Sequence, residues 1–149
     1  MKFQSQKSSC GPAALSAALQ AVGILRTEDE LTHLAGTTTD GTEWEGMLKA
    51  LRTVQKSAPQ VVAKPFEDNA EVGILRLLRA LDDGYAVVCI AMTEKPWDHY
   101  LTVVGRLGRR LCIFDPGSSD AFSTAEVGEF MGRWRGPKGA RKPYAGIIV

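Results

Sequence analysis

Tyr85-Ala86-Val87-Val88-Cys89-Ile90-Ala91-Met92 is the stretch from which the rest of the chain is read. It is nearly continuous in apolar residues, strand-sized and without helical spacing, which predicts a strand buried on both faces. Upstream of it, apolar residues recur at intervals of three and four. Downstream, they come in short runs separated by glycine-bearing turns. The order is helices first and strands second, with one late helix. Such segregation predicts an α+β fold with a mainly antiparallel sheet rather than alternating βαβ units.

Before that strand the chain predicts a helix over 12–22, with Pro12 at the first helical position and Gly23 as the C′ residue. Thr27 and Glu30 are spaced as a capping box for a short second helix that ends near Ala35, with Gly36 beyond it. Thr42 caps a third helix, from 43 to about 54, with Trp44, Met47, Leu48 and Leu51 on its buried face. A short strand is expected at 61–63, cut off by Pro65, and then a helix capped by Asn69 and ended by Gly84. After the central strand, strands are expected at 99–104 and 111–114, around Gly105-Arg106-Leu107-Gly108-Arg109. Ser123 and Thr124 lead into a helix over 125–134, and 144–149 forms a terminal strand.

At 149 residues the chain fits one domain, 1–149. Its 44% apolar and 23% charged residues are those of an ordinary globular protein. The net charge is +1, and only Arg133, Arg135, Lys138, Arg141 and Lys142 concentrate positive charge. That tail reads as solvated surface; no aromatic-and-basic module accompanies it, so no nucleic-acid partner is expected. No apolar run has membrane-spanning length, so no membrane span is expected, and the N-terminus carries no signal-like stretch. Three widely spaced cysteines make neither a disulfide framework nor a zinc pattern. The expectation is a reducing, cytoplasmic setting with no metal and no cofactor.

The chemistry starts at Gln4-Ser5-Gln6-Lys7-Ser8-Ser9-Cys10-Gly11, a polar loop that turns at once into the first helix. Cys10 is thus next to unpaired N–H groups and the positive end of a helix dipole, which favour the thiolate. A base is offered by the later hairpin. If its turn is centred on Leu107, His99 lies directly opposite Asp115. A slip of one residue would put the two on opposite faces. Nucleophile, base and orienting acid together follow the generalised triad logic. The backbone N–H of Cys10 and a side-chain amide, from Gln4 or Gln6, would serve the oxyanion. Asp98, adjacent to His99, should face away from the site. Trp97 is either a cleft wall or a loop anchor, and Cys89 and Cys112 read as core packing.

Gln4, Cys10-Gly11-Pro12-Ala13-Ala14-Leu15, His99-Tyr100-Leu101-Thr102-Val103-Val104 and Phe114-Asp115-Pro116 together resemble the bacteriocin-processing peptidases of the papain-like superfamily. The likeness also takes in Leu31-Thr32-His33-Leu34-Ala35-Gly36-Thr37-Thr38 and Gly41-Thr42. It implies a papain-like fold with N-terminal helices packed on the sheet, and a cysteine peptidase that cuts leader peptides after a Gly-Gly pair. It selects Gln4 over Gln6 as the oxyanion donor, with Cys10, His99 and Asp115 as the triad. Gly11, Trp97, Asp98 and Tyr100 are the accompanying substrate-binding candidates. The implied partners are a peptide or protein substrate and a separate exporter. Two departures stand out. Ser9 replaces the acidic residue that exporter-linked members often carry, and no transporter follows Val149, which suggests a free-standing member. An amidase, isopeptidase or transpeptidase on the same scaffold, and a peptide-binding module with an idle triad, are the rival readings.

Overall fold

Helix α1 (Cys10–Ala21) owes its stability to a run of alanine and leucine, the best helix formers. The computed structural model describes residues 8–92, 98–118, 122–137, 140–142 and 144–149. In it α1 begins two residues earlier than expected: Cys10 is the first helical residue, and Pro12 sits within the first turn. A missing N–H costs no helical bond there. At the other end Gly23, at φ 85°, donates to Gln20 O (3.0 Å), and Ile24 N–H donates to Leu19 O (2.9 Å). These two bonds make a Schellman motif.

Helix α2 (Glu28–Ala35) is capped by Thr27, whose hydroxyl oxygen accepts from Glu30 N–H at 3.1 Å. Helix α3 (Trp44–Ser57) departs from expectation at both ends. Its N-cap is Glu43, not Thr42, and it runs on to Ser57. The Thr42 hydroxyl instead meets that of Thr37 at 2.7 Å, closing the loop between α2 and α3.

The strands are β1 (Lys64–Asp68), β2 (Val87–Met92), β3 (Asp98–Leu107), β4 (Arg110–Phe114), β5 (Phe122–Glu126), β6 (Trp134–Arg135) and β7 (Tyr144–Ile148). Helix α4 (Ala70–Asp82) lies between β1 and β2, and α5 (Val127–Arg133) between β5 and β6. The sheet order is β1-β7-β2-β3-β4-β5, with β6 also paired to β2 and all pairings antiparallel. The strand expected at 61–63 is in fact β1, three residues later, with Pro65 inside it. β1 is an edge strand paired to β7 alone among the described residues, and an edge tolerates a residue with no N–H to donate. The helix expected over 125–134 is shorter. Ser123, Thr124 and Ala125 pair with β4, and the Glu126 carboxylate caps α5 by accepting from Gly128 N–H at 2.7 Å.

β2 explains why the sequence around it does not alternate. Ala86, Val88 and Ile90 join a core shared with α1, α2 and α3, while Val87, Cys89 and Ala91 join a second core. That second core contains Leu77 and Ala80 of α4 and Val127 and Phe130 of α5. The sheet is therefore covered on both faces, as the unbroken apolar run of the central strand predicts.

The β3–β4 hairpin turns at Gly108-Arg109, not at Leu107, with Leu107 paired to Arg110. Gly108 has φ 58°, and a two-residue hairpin turn favours glycine where such a φ is needed. From this turn, regular pairing would carry His99 and Asp115 to opposite faces. A β-bulge between Val103 and Gly105 prevents that: the register shifts by one residue, and Val103 pairs with Ile113 and Thr102 with Phe114. The shift restores the same-face relation of His99 and Asp115, although they are not directly opposite.

Gly146 of β7 lies beneath the Phe66 ring. A Cβ there would fall 2.8 Å from Phe66 Cζ and 2.9 Å from Val87 Cγ1. Gly146→Ala is expected to lower unfolding stability in urea by about 1–3 kcal/mol, the usual cost of overpacking. An unchanged midpoint would show that the core yields there.

Candidate active site

Cys10 is the first residue of α1, and Pro12 lacks an N–H, so the first-turn donors with no carbonyl partner within the helix are those of Cys10 and Gly11. Gly11 is buried, and a Cβ on it would lie 2.9 Å from Met47 Sδ and 3.0 Å from Thr42 Cβ. The glycine lets the first turn of α1 rest directly on α3 and the Thr42 loop. This loop is tied in turn to β3, where the Tyr100 hydroxyl donates to Thr42 O at 3.1 Å. The Tyr100 ring is nearly parallel to that of Trp44, with centroids 6.5 Å apart. Burial raises the pKa of this hydroxyl, with nearby Cys10 and Glu43 adding to the effect, so Tyr100 remains a donor.

His99 precedes Tyr100 on β3 and binds both of the other polar groups. Its Nε2 lies 2.6 Å from Asp115 Oδ1, and its ring hydrogen-bonds the Cys10 thiol. With Nε2 committed to Asp115, Nδ1 is the nitrogen that faces Cys10. Asp115 follows β4 directly, and its Oδ1 also accepts from Gly117 N–H at 2.9 Å, so a local turn orients the carboxylate. The His99 and Asp115 side chains are only 12% and 22% exposed.

Electrostatics follow from this contact order. Burial alone would push the Cys10 thiol up. The hydrogen bond from His99, backbone N–H groups of Tyr100 and Gly11, and the charge on His99 together hold it below its ordinary value. For His99, burial disfavours the cation, but the bonds to Asp115 and Cys10 prevail and raise its pKa to about 9. Burial opposes the Asp115 anion too; it is held down by His99, Gly117 N–H and the positive charge of Arg133. The arrangement favours a thiolate–imidazolium pair backed by a carboxylate.

The structure thus brings Cys10, His99 and Asp115 together and sets Gly11 and Tyr100 beside them. Asp98 opens β3 opposite Met92. Gln4 and Trp97 lie outside the described residues. The turn lies between Leu107 and Arg110 rather than on Leu107, which by regular pairing would part His99 from Asp115, and the bulge accounts for the contact being made nonetheless. Three contributors were not singled out. Arg133, expected on a solvated tail, is half-buried and acts on Asp115. Trp44 stacks on Tyr100, and Thr102 bonds α1; the one hint was a threonine in an otherwise apolar strand. Cys89 is wholly buried, and burial keeps its thiol neutral, as core packing requires.

Among solved structures, the peptidase domain of Streptococcus ComA, a bifunctional ABC transporter involved in quorum sensing, superposes with a TM-score of 0.74. It is 21% identical, over 99% of this chain and 96% of that one. A double glycine motif protease from an AMS/PCAT transporter, solved with the leader peptide, gives 0.67 at 16% identity, over 97% and 86%. These likenesses fix the fold. By sequence, the lactococcin-A transport/processing ATP-binding protein LcnC of Lactococcus lactis is 24% identical over 127 residues, 85% of this chain and 16% of that protein. Each of the curated relatives is matched over 39% or less of its own length. Among the described residues no helix is long and apolar enough to cross a membrane. The Peptidase C39 family profile matches residues 1–137, and the chain belongs to that family of cysteine-type peptidases.

Proposed function

We propose that the chain is a single peptidase domain that cleaves a peptide bond after small residues, with a Gly-Gly leader as substrate. Cys10 is the nucleophile, His99 the acid and base, and Asp115 the orienting carboxylate. The observation that carries this reading is the imidazole of His99, hydrogen-bonded on one side to Asp115 at 2.6 Å and on the other to Cys10. Selectivity for small residues follows from the family resemblance.

The Cys10 thiolate attacks the scissile carbonyl carbon, and the carbonyl oxygen becomes an oxyanion. The Cys10 backbone N–H stabilises that charge, and the Gln4 amide, by family resemblance, supplies the second donor. His99 then gives its Nδ1 proton to the departing amine, leaving an acyl thioester on Cys10. Water attacks the thioester as His99 takes its proton, and collapse releases the acid and the thiolate. Asp115 holds the imidazole in one orientation and stabilises its protonated form throughout. The partner is a peptide substrate, with an exporter to carry the product. A cytoplasmic setting is supported by Cys10, Cys89 and Cys112 all being free thiols.

Cys10→Ala is expected to abolish turnover of a Gly-Gly leader peptide and to remove the rapid part of alkylation by iodoacetamide, leaving that of the partly exposed Cys112; full turnover in that variant would refute the assignment. Cleavage of branched side-chain amides, with linear peptides left intact, would move the activity to an amidase or isopeptidase.

The pH dependence follows from the two shifted groups. kcat/KM should rise as Cys10 ionises, below the ordinary thiol range, and fall as His99 loses its proton near 9. Asp115→Asn removes the largest influence that raises the His99 pKa, so the alkaline limb should move down towards the ordinary histidine value. The same change should reduce kcat on the order of 10²-fold or more. A limb unmoved by the substitution would separate Asp115 from the reaction.

A further inference from the structure

Thr102 is the least exposed polar side chain in the described structure, at 0%, and its hydroxyl donates to the main-chain oxygen of Ala14 at 2.6 Å. The bond spans 88 positions and joins α1, which carries Cys10, to β3, which carries His99. A valine would suit this buried place on transfer grounds alone, since a hydroxyl is favourable in an apolar core only when it is bonded. The bond therefore needs a reason.

The surface it crosses supplies one. Half of the buried residues of α1 are alanine: Ala13, Ala14, Ala17 and Ala18 are each 3% exposed or less, beside Leu15 and Leu19 at 0%. Short side chains let a helix lie close to a sheet, but they form low ridges, and ridges in grooves are what fix one element against another. Leu15 and Leu19 anchor the helix in the core, but apolar contact is non-directional, and the alanine positions add little to its placement along its own axis. A directional bond to a main-chain oxygen does set it. Ala14 lies one helical turn, about 6 Å, from Cys10, and Thr102 lies about 10 Å along the strand from His99. The bonded pair thus sits close behind the reacting pair on the same two elements.

We propose that Thr102 is a positioning residue that sets the axial placement of α1 on β3, and with it the approach of Cys10 to His99. The assignment rests on the reading of Cys10 and His99 as the reacting pair. Thr102 touches neither, and acts through the helix and the strand.

The test compares Thr102→Val, which keeps the branched shape and removes the hydroxyl, with Thr102→Ser, which keeps the hydroxyl. A misplacement near 1 Å costs up to about 10²-fold in rate. Thr102→Val should therefore lower kcat on a Gly-Gly leader peptide by roughly 10- to 100-fold, with KM within about twofold. The pH profile of Cys10 alkylation by iodoacetamide should move to higher pH, towards that of an ordinary thiol. Thr102→Ser should keep the wild-type kcat and profile. A Thr102→Val protein with a lower melting temperature but unchanged kcat and alkylation profile would reduce Thr102 to a packing role and overturn the proposal. So would a Thr102→Ser protein as impaired as the valine variant. A wild-type protein whose Cys10 alkylates as an ordinary thiol would instead refute the reacting pair itself.

Discussion

Close packing of an alanine-faced helix on a strand is the constraint on which this structure depends. Cys10 and His99 are far apart in the chain, and neither loop nor disulfide joins them. What helps to bring them together is the small size of Ala14 and Ala18 on α1, wholly buried beside Leu15 and Leu19 in the core formed with Val88, Ile90 and Tyr100. Gly11 continues the same economy at the helix start, resting against Met47 and Thr42. A larger side chain at any of these positions would lift the cysteine away from the strand.

Once the helix is seated, the charges arrange themselves in a chain. Arg133 favours the Asp115 anion, Asp115 favours the His99 cation, and His99 favours the Cys10 thiolate. Each member is partly buried, and burial opposes every one of the three charges. The array is stable as a whole because each cost is offset by a neighbour of opposite sign, bonded at short range. Opposing influences of this kind on neighbouring titratable groups are a frequent mark of reactive sites. Cys10, at the helix start, lies at the end of that chain.

Much of this was legible in the sequence, and the failures have physical causes. Some helix ends read well because they rest on local bonds: Thr27 accepts from Glu30 N–H, and the glycines at 23 and 36 take the positive φ of a helix end, whereas Thr42 gave way to Glu43 as the cap of α3. The central strand read well because two cores claim its alternate residues. β5 was missed because Ser123, Thr124 and Ala125 have no strong local preference and become a strand only by pairing with β4. Pro65 was read as a terminator, yet it lies on the sheet edge where it breaks no bond. At the site, Cys10, His99 and Asp115 could be singled out from residue type and spacing. The cation behind Asp115 and the hydroxyl behind α1 could not, since only tertiary packing reveals what they face.

The bulge between Val103 and Gly105 divides the hairpin into two parts with different freedoms. On the side of the turn, residues can be added in pairs, one to each strand, and the tip simply lengthens. His99 and Asp115 lie on the other side and keep their relation. A single residue gained or lost at the bulge, by contrast, exchanges the faces of everything beyond it and would turn His99 away from Asp115. The protein's surface can thus vary in reach at the hairpin tip without disturbing its chemistry, provided that change comes in twos.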